Sequence, residues 1–66
     1  MIEMIVKILQ ANNGWVSIRD IQRGILEKYG ITLEYKSIYQ SLNCTELAEH
    51  VLKDINSIPQ QYKFEG

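Results

Sequence analysis

The sequence predicts a single small α+β domain, mostly α, with a three-helix core, a short strand after the first helix and a C-terminal β-hairpin. Three observations carry this. Apolar residues recur at helical spacing in three separate segments, each bounded by a breaker or cap; the period changes to a β-compatible one from Val51 onward; and 66 residues hold one hydrophobic core and no second.

Residues 1–11 form the first helix. Ile2, Ile5 and Leu9 share one stripe, with Met1, Met4, Val6 and Ile8 beside it, and Asn12-Asn13-Gly14 ends it. Those side chains spread over roughly 200° of the wheel, about twice the stripe that a surface helix needs. The excess predicts a contact with a second copy through Met1, Met4, Ile5 and Ile8.

Trp15-Val16-Ser17 is a brief extended segment. Ser17 then caps the second helix, with Asp20 three residues later near the positive helix end. Its core stripe is Ile18, Ile21, Ile25 and Tyr29, with Leu26 alongside, and Gly30 closes it as a left-handed residue. Thr32 is expected to cap a third helix running over residues 33–43, in which Tyr35, Ile38 and Leu42 are buried and Ile31 and Leu33 pack where it starts. The opposite face carries Lys36, Ser37, Gln40 and Asn43, with Tyr39 at its margin. Beyond Cys44 the helix either continues or restarts at Thr45. Residues 51–55 and 61–64 then read as two strands joined by a turn-rich linker containing Pro59, with Tyr62 and Phe64 on one face.

Composition narrows the function classes. With 45% hydrophobic and 23% charged residues the chain is expected to fold rather than stay disordered. Cys44 is alone and His50 is the only imidazole, so neither a disulfide nor a zinc cluster is expected. No Gly-rich phosphate loop exists, and Glu46, Glu49 and Asp54 have no cleft in which to be tuned as acid and base, so neither an enzyme nor a cofactor is expected. The apolar-rich start is too short for a membrane span and lacks the features of a signal peptide, which predicts a cytoplasmic protein without membrane contact. A net charge of −1 is unusual for a protein that grips nucleic acid by charge alone.

The order helix, short strand, helix, tight turn, helix, hairpin resembles the winged helix-turn-helix family, and covers the chain from about Ile5 to Phe64. Leu33-Glu34-Tyr35-Lys36-Ser37-Ile38-Tyr39-Gln40-Ser41-Leu42 is similar to the recognition helix of bacterial and archaeal regulators, and Val16-Ser17-Ile18-Arg19-Asp20-Ile21 to the start of their second helix. The resemblance implies a sequence-specific transcriptional regulator that binds double-stranded DNA, as a homodimer, with helix 33–43 in the major groove. Lys36, Ser37, Gln40 and Asn43 are then the base-contacting side chains, since Gln and Asn can pair with adenine and Lys can reach guanine or phosphate. Arg19, Arg23, Tyr39, Lys53 and Lys63 are the backbone contacts.

Five of the seven basic residues, Arg19, Arg23, Lys36, Lys53 and Lys63, fall on the elements that this architecture turns toward DNA. The expected wing tip Asn56-Ser57-Ile58 carries no basic residue. Together with the acidic balance, that supports an alternative: the same fold presenting its third helix or wing to a protein partner instead of DNA.

Overall fold

The computed structural model describes residues 2–12 and 14–65. Its elements are α1 (Ile2–Ala11), β1 (Val16–Ser17), α2 (Ile18–Tyr29), α3 (Tyr35–Asn43), a 3-10 turn (Glu46–His50), β2 (Val51–Asp54) and β3 (Gln61–Phe64). The result is an α+β fold, mostly helical, in which three helices pack against a three-stranded antiparallel sheet of order β1-β3-β2. The chain therefore returns at its end to place β3 between the two earlier strands. Val16 pairs with Tyr62 on one side, and Lys53 pairs with Tyr62 on the other.

Local signals explain most boundaries. Ser17 accepts a hydrogen bond from the Asp20 backbone N–H at 3.2 Å while an Asp20 carboxylate oxygen accepts from the Ser17 N–H at 3.1 Å. Two otherwise orphaned donors at the start of α2 are thus satisfied reciprocally. The same Asp20 holds Arg23 at 2.6 Å. Its pKa is lowered, first by the Ser17 backbone N–H and then by the Ser17 hydroxyl and the Arg23 guanidinium, against an opposing effect of burial. Gly30 ends α2 at φ 69°, the left-handed region where a side chain is strained, and its N–H closes on the Leu26 carbonyl at 2.9 Å. Thr45 caps the 3-10 turn by accepting from the Leu47 N–H.

The core is continuous through all these elements. Ile5, Ile8 and Leu9 of α1 meet Ile18, Ile21 and Ile25 of α2, Ile38 and Leu42 of α3, and Val16, Leu47, Val51 and Tyr62 from the rest of the chain. Gly24 lets α1 approach α2 closely: a Cβ built there would lie 3.1 Å from the Ile8 Cγ2. Much of the wide apolar face of α1 is covered within one molecule, since α1 packs on α2 and on β3, while Ile2 of the same stripe stays exposed.

This corrects the expected dimer surface. Ile5 is fully buried and Ile8 is 6% exposed, so neither can serve an interface with a second copy. Met4 is half-buried and packs on the same core, and Met1 lies outside the described residues.

Three local expectations also shift. α3 starts at Tyr35 rather than Leu33, with Glu34 at the cap position making no side-chain cap bond, so Thr32 does not cap it. Tyr35 and Leu26, expected in or beside the core, are each 49% exposed. Leu33 instead packs on the core ahead of Ile38 and takes the place that the period assigns to Tyr35.

Candidate functional site

The outer face of α3 brings together three of the expected contact residues, Lys36, Tyr39 and Gln40. The helix is short, nine residues, and its orientation is fixed at both ends. At its start, the Gln22 side-chain amide of α2 donates to the Leu33 carbonyl at 2.8 Å and holds the α2–α3 connection against α2. Sequence reasoning missed Gln22, because nothing in its own segment marks a polar residue that reaches eleven positions ahead. At the end of α3, Cys44 N–H closes on the Gln40 carbonyl at 2.7 Å, and the Asn43 side-chain amide donates to the Tyr39 carbonyl at 2.8 Å and to the Tyr62 hydroxyl at 3.2 Å.

Ile38, Ser41 and Leu42 turn inward, and the outer face carries Tyr35, Lys36, Tyr39 and Gln40, all exposed. Lys36 and Gln40 are one helical turn apart, the geometry that presents two side chains to one ligand. Ser37 is half-buried at the side of the helix, and its carbonyl accepts from the Ser41 hydroxyl.

Asn43 does not fit the base-contact role expected of it. A carboxamide that reads adenine offers one donor and one acceptor together. Both hydrogens of the Asn43 amide are already committed, one to Tyr39 and one to Tyr62, which turns the group toward the sheet. Its effect is structural: it ties α3 to the central strand. Burial raises the pKa of Tyr62, the Asn43 bond works in the opposite direction, and the neighbouring Tyr39 and Tyr35 add to the rise.

The two hairpin lysines separate. Residues directly opposed in an antiparallel ladder share a face, and successive residues alternate. Lys53 stands opposite Tyr62 and therefore on the helix-facing side, whereas Lys63 stands opposite Leu52 and points to the other face. Lys53 can act with α3, and Lys63 cannot share a ligand face with it.

On α2, Arg19 and Arg23 line an open groove of about 600 Å³ together with Gln22, Leu26 and Thr32. Arg19 is exposed, while Arg23 is held by Asp20 in the only ion pair among the described residues. The carboxylate offsets much of the positive charge that Arg23 would present to a phosphate. The hairpin turn is built by Asp54, which accepts from the Asn56 N–H at 3.1 Å and the Ser57 hydroxyl at 2.8 Å. That turn holds Ile55 at 75% and Ile58 at 99% exposure.

Among the described residues no group of three His, Cys, Asp or Glu side chains could hold a metal ion, and no helix is long and apolar enough to cross a membrane. Cys44 is free and exposed. No protein-family model, curated protein or solved structure matches the chain.

Proposed function

We propose that the chain is a winged helix-turn-helix module that binds double-stranded DNA, with α3 in the major groove. It acts by binding and not by catalysis. The observation that carries this reading is the outer face of α3: Lys36 and Gln40 are exposed one turn apart on a helix whose ends are fixed by Gln22 and Asn43. The major groove admits one such helix, and short polar or cationic side chains on it reach base edges. The order of elements, the tight connection through Gly30 and the return of β3 between β1 and β2 support the same reading. Lys53 shares the face of the hairpin on which Asn43 of α3 meets Tyr62 and supplies a phosphate contact, and Arg19 supplies another from the start of α2. A pair of copies on a two-fold site has to meet through a surface other than that of Ile5 and Ile8.

The test is duplex binding by wild type and by Lys36→Ala and Gln40→Ala across salt concentrations. The expected result is affinity that falls as salt rises, and a loss of discrimination between sequences in both variants, with each lost base contact costing about 1–3 kcal/mol. Unchanged affinity for every duplex in both variants contradicts the proposal.

A protein partner is the second reading, and one feature favours it: Ile55 and Ile58 are held outward on an ordered turn that carries no basic residue. Exposed apolar side chains on a fixed turn suit an apolar protein pocket better than a phosphate backbone. On that reading Ile58→Ser abolishes capture of the partner and leaves duplex binding absent in every form of the protein.

A further inference from the structure

Tyr35 and Tyr39 stand one turn apart on the outer face of α3, 49% and 44% exposed, and neither hydroxyl has a hydrogen-bond partner among the described residues. Lys36 lies beside them on the same helix, and Lys53 lies beyond Tyr62 on the helix-facing side of the hairpin. The face is thus aromatic with few cations. Arg23 is paired with Asp20, Lys63 points elsewhere, and the chain carries a net charge of −1. Two phosphate contacts give only a shallow electrostatic grip, with a log-log salt slope of about −1.4 on a single strand. Two tyrosine rings offer a different source of affinity, because stacking of a base on an aromatic side chain is worth about 1–3 kcal/mol.

That source is closed to an intact duplex. Inside a duplex both faces of every base are covered by its neighbours, so a tyrosine there is limited to hydrogen bonds through its hydroxyl. Unpaired bases have open faces. The spacing agrees: side chains four residues apart on a helix are separated by about 5–6 Å, more than the roughly 3.4 Å between nucleotides of a stacked strand. Each ring therefore takes its own base from a strand drawn out of its stack.

We propose that the α3 face binds unpaired nucleotides, with Tyr35 and Tyr39 each stacking one base and Lys36 and Lys53 holding the flanking phosphates. The proposal uses the same face as the duplex reading and does not depend on it.

The experiment is a fluorescence-anisotropy titration of labelled oligo-dT of about 15 nucleotides, within the site sizes that single-strand binders cover, beside a labelled duplex of the same length. Wild type is compared with Tyr35→Leu/Tyr39→Leu and with Tyr35→Phe/Tyr39→Phe, the latter keeping the rings and removing the hydroxyls. Both positions are half exposed, and the single Tyr35→Leu and Tyr39→Leu variants serve if the double Leu variant does not fold. The expected result is oligo-dT binding that weakens at least about tenfold in the Leu double variant, or about fivefold in each single one, and stays within about twofold in the Phe variant.

Absence of oligo-dT binding, an unchanged Leu variant, or a Phe variant as weak as the Leu one overturns the proposal. The duplex arm separates the two readings. Duplex binding without oligo-dT binding overturns this proposal and leaves the duplex reading standing, and the reverse outcome leaves this proposal standing alone.

Discussion

Asn43 donates a hydrogen bond to the hydroxyl of Tyr62 at 3.2 Å, joining the last turn of α3 to the central strand across nineteen residues of sequence. Tyr62 is fully buried, so its hydroxyl depends on this contact for a partner within the protein, and Asn43 is drawn away from the outer face of the helix. The pair ties α3 to the hairpin on the face that Tyr62 shares with Lys53, which stands opposite it in the ladder.

Removing this bond is expected to cost stability. Tyr62→Phe keeps the ring and loses the hydroxyl, and is expected to lower unfolding free energy by about 1 kcal/mol in urea denaturation. Asn43→Ala combined with Tyr62→Phe is expected to cost less than the sum of the single changes, with a coupling of about 0.5 kcal/mol or more. The raised pKa of Tyr62 also sets a sign. A phenol that is harder to ionise in the folded state stabilises below its unfolded value near 10.0, and that contribution is lost as pH rises through the folded value.

The capping pair at the start of α2 predicts the opposite pH dependence. The pKa of Asp20 is lowered from 3.8, so its stabilisation is present above that value and disappears as pH falls through the folded value. Urea midpoints measured from about pH 5 downward are expected to fall for wild type and to fall less for Asp20→Asn. Ser17→Ala, which removes the hydroxyl cap, is expected to cost about 1 kcal/mol at neutral pH.

Two glycines are expected to resist substitution for different reasons. Gly30 adopts φ 69°, and Gly30→Ala is expected to destabilise by about 1–2 kcal/mol through left-handed strain. Gly24 has an ordinary backbone, but a Cβ there would meet Ile8 at 3.1 Å. Gly24→Val is expected to cost about 1–3 kcal/mol by forcing α1 away from α2. Thermal unfolding of both variants checks this, and a Gly24→Val protein as stable as wild type would show that the contact of the two helices is looser than described.

The opposite faces of Lys53 and Lys63 give a paired prediction for nucleic-acid binding. Lys53→Gln is expected to weaken duplex binding and to reduce the log-log salt slope by about 1, as loss of one phosphate contact does. Lys63→Gln is expected to change neither. Equal losses in the two variants contradict the assignment of faces.

Local chemistry was the legible part of the sequence. The cap formed by Ser17 and Asp20, the stop at Gly30 and the shift to strand period at Val51 are all written within a few residues of where they act, whereas the choice between continuing α3 and restarting at Thr45 was left open by the sequence and is decided by the Thr45 cap. Contacts between distant segments were not legible. The period groups Tyr35 with Ile38 and Leu42, yet Tyr35 stays half exposed while Leu33, expected where α3 starts, packs against the core.

Asn43 sits on the polar side of the helical wheel, and only the arrival of Tyr62 turns its amide inward. The breadth of the apolar face of α1 is real, but α2 and β3 cover its Ile5, Ile8 and Leu9 part from within the same molecule, and Ile2 stays exposed. Arg19, Lys36, Tyr39, Gln40 and Lys53 are exposed as expected; Ser37 is half-buried, Arg23 is paired with Asp20 and Lys63 faces away.

The central claim is that the outer face of α3 is a nucleic-acid surface, and a ¹H–¹⁵N NMR titration of the full chain with a short duplex and with oligo-dT at low salt tests it most directly. The account predicts amide shift changes concentrated at Tyr35, Lys36, Tyr39, Gln40 and Lys53, with Lys7 and Lys63 unmoved. Spectra that stay unchanged with both ligands, or changes centred on α1 and Lys63, contradict it.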